Sequence, residues 1–173
     1  MTVQSIAQLF EFPAIQNYVN ANAYVWPVSE MTHYVGMSFI MGFIGMLDLR
    51  ILGFFKGLPI GSLRPYVPLA VIGLCANLFT GLVFMTGTPQ HPIFYIDNLS
   101  FQMKMAALGL AGVNLVVFRL TGLERTVYAT PANADAPAGA KVIAVISLLC
   151  WVIVIFGGRL LMYNDTLLYS LGL

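Results

Sequence analysis

The chain reads as an all-α integral membrane protein: a bundle of four spanning helices, both termini outside, with short interfacial helices ahead of the first span. Three observations carry that reading. Hydrophobic residues make up 59% of the 173 and charged residues only 9%, with a mean hydropathy of +0.84. A soluble domain carries roughly a quarter charged residues. Four apolar runs each reach the roughly 20 residues that a helix needs to cross the hydrocarbon. The basic residues gather in the first and third connections between those runs, which orients the bundle.

In chain order, residues 1–26 are too polar to span. The segments SIAQLFEF and AIQNYVNA, separated by Pro13, are predicted to be short helices lying on the outer membrane surface. Met1-Thr2-Val3-Gln4 has no Lys or Arg and no apolar core directly behind it, so it does not read as a cleaved signal, and the first span is expected to be retained. The spans are predicted over 28–52, 66–87, 99–120 and 141–163 within a single domain. Pro65 and Pro68 open the second span, where a first helical turn tolerates proline; Gly87, Pro89 and Pro92 break the chain after it. The loop 121–140, TGLERTVYATPANADAPAGA, is rich in Ala, Pro, Asn and Asp and is expected to be flexible.

Arg50, Lys56 and Arg64 flank the first connection; Arg119, Arg125 and Lys141 flank the third. The positive-inside rule puts these in the cytoplasm and both termini outside. Tyr24, Trp26, Tyr95, Tyr163 and Tyr169 then fall together on the outer face, where amphipathic rings prefer to sit.

Several function classes drop out. The net charge of +1 argues neither for nor against nucleic acid, but there is no basic cluster to bind it and no phosphate-binding glycine loop. The two cysteines, Cys75 and Cys150, lie singly in apolar runs and read as small hydrophobes, not as a metal pair. No hydrolytic triad can be assembled.

Chemistry is concentrated in the first span, VSEMTHYVGMSFIMGFIGMLDL. Glu30, His33, Met37, Met41 and Asp48 share one helical stripe, and an ionisable group within a span marks a candidate site. Lys104 enters the third span, and Arg159 lies a turn from the outer end of the fourth. With Glu30 and His33 they fall within a layer roughly 5–10 Å below the outer boundary. The second span contributes a softer polar face of Gly73, Asn77, Thr80, Gly81, Phe84 and Thr88, and His91 in the outer TPQHP loop is placed to fold over it. Glu30 and Lys104 are expected to pair across the bundle, Arg159 to snorkel outward, and Asp48 with Arg50 to sit at the cytoplasmic interface. Glycines 36, 42, 45, 73, 81, 109 and 112 are read as points of close helix approach.

Three readings of His33 are open beside a plain hydrogen-bonded histidine. It can be an axial ligand of haem b, with Lys104 or Arg159 on the propionates and a second ligand from His91 or from Met37, Met103 or Met162. Only one span contains a histidine, so bis-His ligation across two spans is excluded. Alternatively His33, Met37 and Met41, spaced by four, bind copper, since imidazole and thioether suit Cu(I). Or Glu30 and His33 form a proton- or quinone-linked relay.

The residues Trp26-Pro27, Glu30-x-x-His33, Gly36, Asp48-Leu49-Arg50-x-Leu52-Gly53, Asn98-x-x-Phe101-x-x-Lys104 and Ala111-x-x-Asn114 resemble an uncharacterised family of bacterial four-helix inner-membrane proteins, over roughly 24–120. More distantly, the first-span histidine before a glycine-rich stretch is similar to the membrane domains of copper-resistance D and cytochrome b561-like proteins. The latter place histidines on several helices, and this chain does not. The resemblance implies an inner-membrane location and importance for Glu30, His33 and Lys104. The expected function is that of a small redox-associated or accessory subunit binding haem b or a metal at His33. The alternatives are copper handling, or a structural subunit with no cofactor that packs against partner membrane proteins or itself within the lipid bilayer.

Overall fold

The computed structural model describes residues 3–87, 92–163, 166 and 169. Two short helices, α1 (Val3–Gln8) and α2 (Pro13–Ala21), precede the long α3 (Val25–Leu52). A 3-10 turn (Ile60–Tyr66) leads into α4 (Val67–Gly87), and the short α5 (Ile93–Ile96) leads into α6 (Leu99–Leu120). Then come α7 (Leu123–Tyr128), α8 (Ala138–Leu160) and a closing 3-10 turn (Leu161–Tyr163). There is no strand among the described residues. Four helical stretches are long and apolar enough to cross a membrane: Val25–Leu52, Ile60–Gly87, Leu99–Leu120 and Ala138–Tyr163. Their outward faces are apolar, with Val113, Ile72 and Phe79 largely exposed, which is the surface a bilayer covers.

Local chemistry sets the ends. α3 starts three residues earlier than hydropathy indicates, because Pro27 sits in its first turn, where the missing N–H is not needed. It stops at Gly53, whose φ of 107° is left-handed. There Gly53 N–H donates to Arg50 O and Phe54 N–H to Leu49 O, the paired bonds of a Schellman end. Asn98 caps α6: its Oδ1 accepts from Phe101 N–H, and its Nδ2 donates to Leu161 O at 2.9 Å, so one side chain ties the start of α6 to the end of α8.

The bundle consists of two close pairs, α3 with α4 and α6 with α8, joined through α3 and α8. Each pair crosses at glycine. A Cβ on Gly36 would overlap the Asn77 amide and lie 2.7 Å from Gly73 O, and one on Gly157 would lie 2.9 Å from Ser100 O. Gly42, Gly81, Gly109 and Gly112 have open space where a Cβ would go, so these four do not mark close approach. At the far end of α4, Gly87 packs beneath Val19 of α2, and α1 lies against α5.

The best-packed core is not in mid-bundle but at the end carrying the first and third connections. There Leu47, Ile51, Ile60, Phe118, Val127, Ala136, Ala140 and Ala144 form one cluster. The segment 121–140, expected to be a flexible loop, contains α7 and is tied down throughout. Asn133 N–H donates to Lys56 O at 2.7 Å, Ile60 N–H donates to Thr130 O at 3.3 Å, and the Tyr128 carbonyl fits against Gly61. Arg50 is wholly buried here and forms no ion pair with Asp48, itself buried, where both were expected at the interface. Its Nε donates to Leu58 O at 2.6 Å and its Nη2 to the carbonyls of Lys56, Pro131 and Ala134. Two residues apart on a helix, the two side chains point to nearly opposite faces.

Asp135 clasps the same two connections from outside, bonded to Lys56 Nζ at 2.9 Å and Lys141 Nζ at 3.0 Å. The hydrogen bond from Lys56, then that from Lys141 and the two positive charges, hold its carboxyl at about 2. A depressed folded value means the clasp contributes stability above the ordinary carboxylate value near 3.8 and loses it as pH falls through about 2. A carboxyl NMR titration should place the Asp135 midpoint at about 2 and move it upward in Lys56→Met; an ordinary midpoint in the unaltered protein would refute the clasp.

Candidate functional site

The site grows out of the α3–α4 crossing. Because Gly36 and Gly73 let the two backbones touch, side chains one to two turns toward the α2 end meet at short range. His33 on α3 reaches Thr80 on α4, with Nδ1 to Oγ1 at 2.7 Å. The Thr80 hydroxyl lies 2.8 Å from Ala76 O and 3.3 Å from Asn77 O, in its own helix. A hydroxyl has one proton; committed to those carbonyls, it turns a lone pair to His33. The network therefore assigns the proton to Nδ1 and leaves the Nε2 lone pair open. Phe84 packs on the imidazole (centroids 5.4 Å apart) and on Trp26 (5.2 Å), fixing the ring's orientation.

Glu30 and Lys104 are not partners. Glu30 is exposed and accepts from Trp26 Nε1 at 3.1 Å, one turn back along α3. Lys104 lies in the other helical pair: its Cβ borders Gly157 and its Nζ borders Gly158, and it forms no ion pair among the described residues. It remains an electrostatic neighbour of His33. Glu30→Gln should therefore change stability by less than about 1 kcal/mol, the scale of one exposed hydrogen bond. The expected cross-bundle pair would cost about 1–3 kcal/mol on loss of one partner, and thermal unfolding in detergent separates the two outcomes.

The remaining predicted ligands are scattered. Met37 and Met41 are half-buried on the His33 stripe, but the Met41 methyl leans toward Gly45, one turn further from His33. Met103 and Met162 are 49% and 79% exposed, and Arg159 is exposed. His91 and Thr88 lie outside the described residues. No group of three or more His, Cys, Asp or Glu that could hold a metal occurs among the described residues. A metal at His33 would rest on thioether or external ligands.

A second polar feature lies deeper and was missed from sequence. Asp48, 5% exposed, lines a cavity of about 310 Å³ between α3, α4, α6 and α8, with α7 at one end. Ser147 is its hydrogen-bonding neighbour, and Oδ2 has no partner among the described residues. Asn114 also lines the cavity, its Nδ2 donating one hydrogen to Ile143 O at 3.0 Å. The available signal was the placement of Asp48 on the same stripe as His33; its nearness to Arg50 and to the helix end concealed it. His33 does not line this cavity. No protein-family model, curated protein or solved structure matches the chain.

Proposed function

We propose that the chain is a multi-pass protein of the bacterial cytoplasmic membrane, with both termini periplasmic and α1 and α2 at the outer surface, and that His33 presents Nε2 to a bound redox group, haem b before copper, in an accessory or electron-transfer subunit. The orientation rests on charge: six of the eight basic residues (Arg50, Lys56, Arg64, Arg119, Arg125 and Lys141) flank the first and third connections.

The observation that carries the functional reading is the His33–Thr80 bond. An imidazole whose Nδ1–H is fixed by an outer partner is arranged as metal-binding histidines are, with orientation and tautomer set and Nε2 available. The donor set fits one axial position and no more, because no second ligand converges on it among the described residues. Haem, when bound, supplies one-electron transfer. The chain's own part would be to orient the His33 nitrogen through Thr80 and Phe84, with Lys104 or Arg159 offsetting the charge of the group's carboxylates. Copper is favoured by one observation, that Met37 is half-buried a single turn from His33 on the same stripe.

The test is an absorption spectrum of the purified protein, oxidised and dithionite-reduced, with metal analysis on the same sample. A Soret band that is lost in His33→Ala and shifted in Thr80→Val supports haem. A colourless protein carrying stoichiometric Cu(I), weakened in Met37→Leu, supports copper. Neither, from cells supplied with haem and copper, leaves a structural subunit that packs through its apolar faces.

A further inference from the structure

The Asp48 cavity is polar at one end and aliphatic along the rest. Arg119, Glu124 and Tyr128 close the end nearest α7, while Ile40, Leu78, Leu108 and Trp151 form the opposite end. From Leu108 to Arg119 the wall rises by about 16 Å at 1.5 Å per residue. Its volume is about 310 Å³, at the small end of ligand sites and about twice that of an engineered cavity that takes up benzene. That admits one alkyl chain, not two.

The slot also has a side door. α4 and α6 both line it but barely touch one another. Val71, Leu78 and Leu115, on its walls, are 51%, 49% and 51% exposed, so it opens toward the surface that lipid covers.

What Asp48 meets decides the ligand. Its Oδ2 is a buried acceptor without a donor among the described residues, and Asn114, one of whose two Nδ2 hydrogens goes to Ile143 O, lines the same wall. None of the surrounding cations pairs with Asp48 among the described residues: Arg50 spends Nε and Nη2 on backbone carbonyls and keeps Nη1 unpartnered, Arg119 lies beside Glu124 (3.8 Å), Lys56 and Lys141 are on Asp135, and Arg64 lies over the Tyr128 ring. The unmet group in the slot is the Asp48 carboxyl oxygen, so the ligand it calls for brings a donor, with a positive charge to match a carboxylate. We infer that this slot binds a single-chain lipophilic primary amine entering from the bilayer between α4 and α6, with its ammonium on Asp48 and its chain along the aliphatic wall. This stands independently of the His33 reading.

Trp151 lines the slot, and the only other tryptophan is Trp26. In a Trp26→Phe background in phosphatidylcholine nanodiscs, 11-bromoundecylamine should quench Trp151 emission saturably, because bromine quenches indole on contact. The matching bromo-alcohol and bromo-acid should require at least about tenfold more, as should the amine with Asp48→Asn, reflecting a lost charge-assisted bond. Leu115→Phe, which narrows the slot and leaves Asp48 in place, should weaken the amine as well and covers the case in which Asp48→Asn fails to fold. Equal, non-saturating quenching by all three compounds would mean simple partition into lipid and would overturn the assignment. So would tighter binding of the acid, or no quenching from a protein that runs as a dimer, whose second copy would then fill the gap.

Discussion

Arg50→Met should lower stability by about 3 kcal/mol or more, on the scale seen when one partner of a buried charged network is removed. Arg50 is 0% exposed, and its Nε and Nη2 serve four carbonyls on two separate connections. Methionine preserves much of the side chain's length and removes every donor, so those carbonyls lose their partner together. Arg50→Lys should recover little, because an ammonium cannot address Leu58 O and the Lys56, Pro131 and Ala134 carbonyls from a planar fork. Thermal unfolding in detergent measures the loss, and proteolysis should show 53–59 and 129–136 becoming cleavable. A midpoint unchanged in Arg50→Met would show that these connections are held by the apolar cluster alone.

Gly36→Ala should separate α3 from α4, whereas Gly42→Ala, less than two turns away, should not. The added methyl at Gly36 has nowhere to go: backbone Gly73 O is 2.7 Å away, and the Asn77 amide occupies the rest of the space. Overpacking of this kind costs about 1–3 kcal/mol. It also reaches the site, since His33 and Thr80 flank the same crossing, so the imidazole NMR signals of His33 should report loss of the Nδ1 bond. At Gly42 the Cβ meets open space. There alanine should be neutral or stabilise by up to about 1 kcal/mol, the helix-propensity gain over glycine. Equal effects at the two positions would remove the crossing as the origin of the His33 geometry.

Much of the architecture is legible in the sequence. The third span matches Leu99–Leu120 end to end, and the fourth is recovered within three residues of the start of α8. The connections were harder to read. Pro, Ala and Asn in 121–140 suggest a loop, yet Arg50, which lies 81 residues before Pro131 and 84 before Ala134, gathers that segment into the core. Composition reports what a segment prefers alone; an arginine donating to distant carbonyls is invisible to it. The glycines show the same division. Helical spacing marks 36, 42 and 73 alike, and only the partner backbone distinguishes the tight positions from the open one.

Length and apolarity alone determined the all-helical class, the four stretches able to span a membrane and the stripe that holds His33 and Asp48. These are properties of each segment by itself, since a helix's rise and face repeat do not depend on its neighbours. Which polar groups of different elements meet was decided only by the tertiary structure: His33 with Thr80, Arg50 with four carbonyls, and Asp48 toward a cavity. Spacing states which residues share a face. Which face turns toward which neighbour depends on how closely two backbones can approach, and here Gly36 against Gly73 and Gly157 against Ser100 set that rotation.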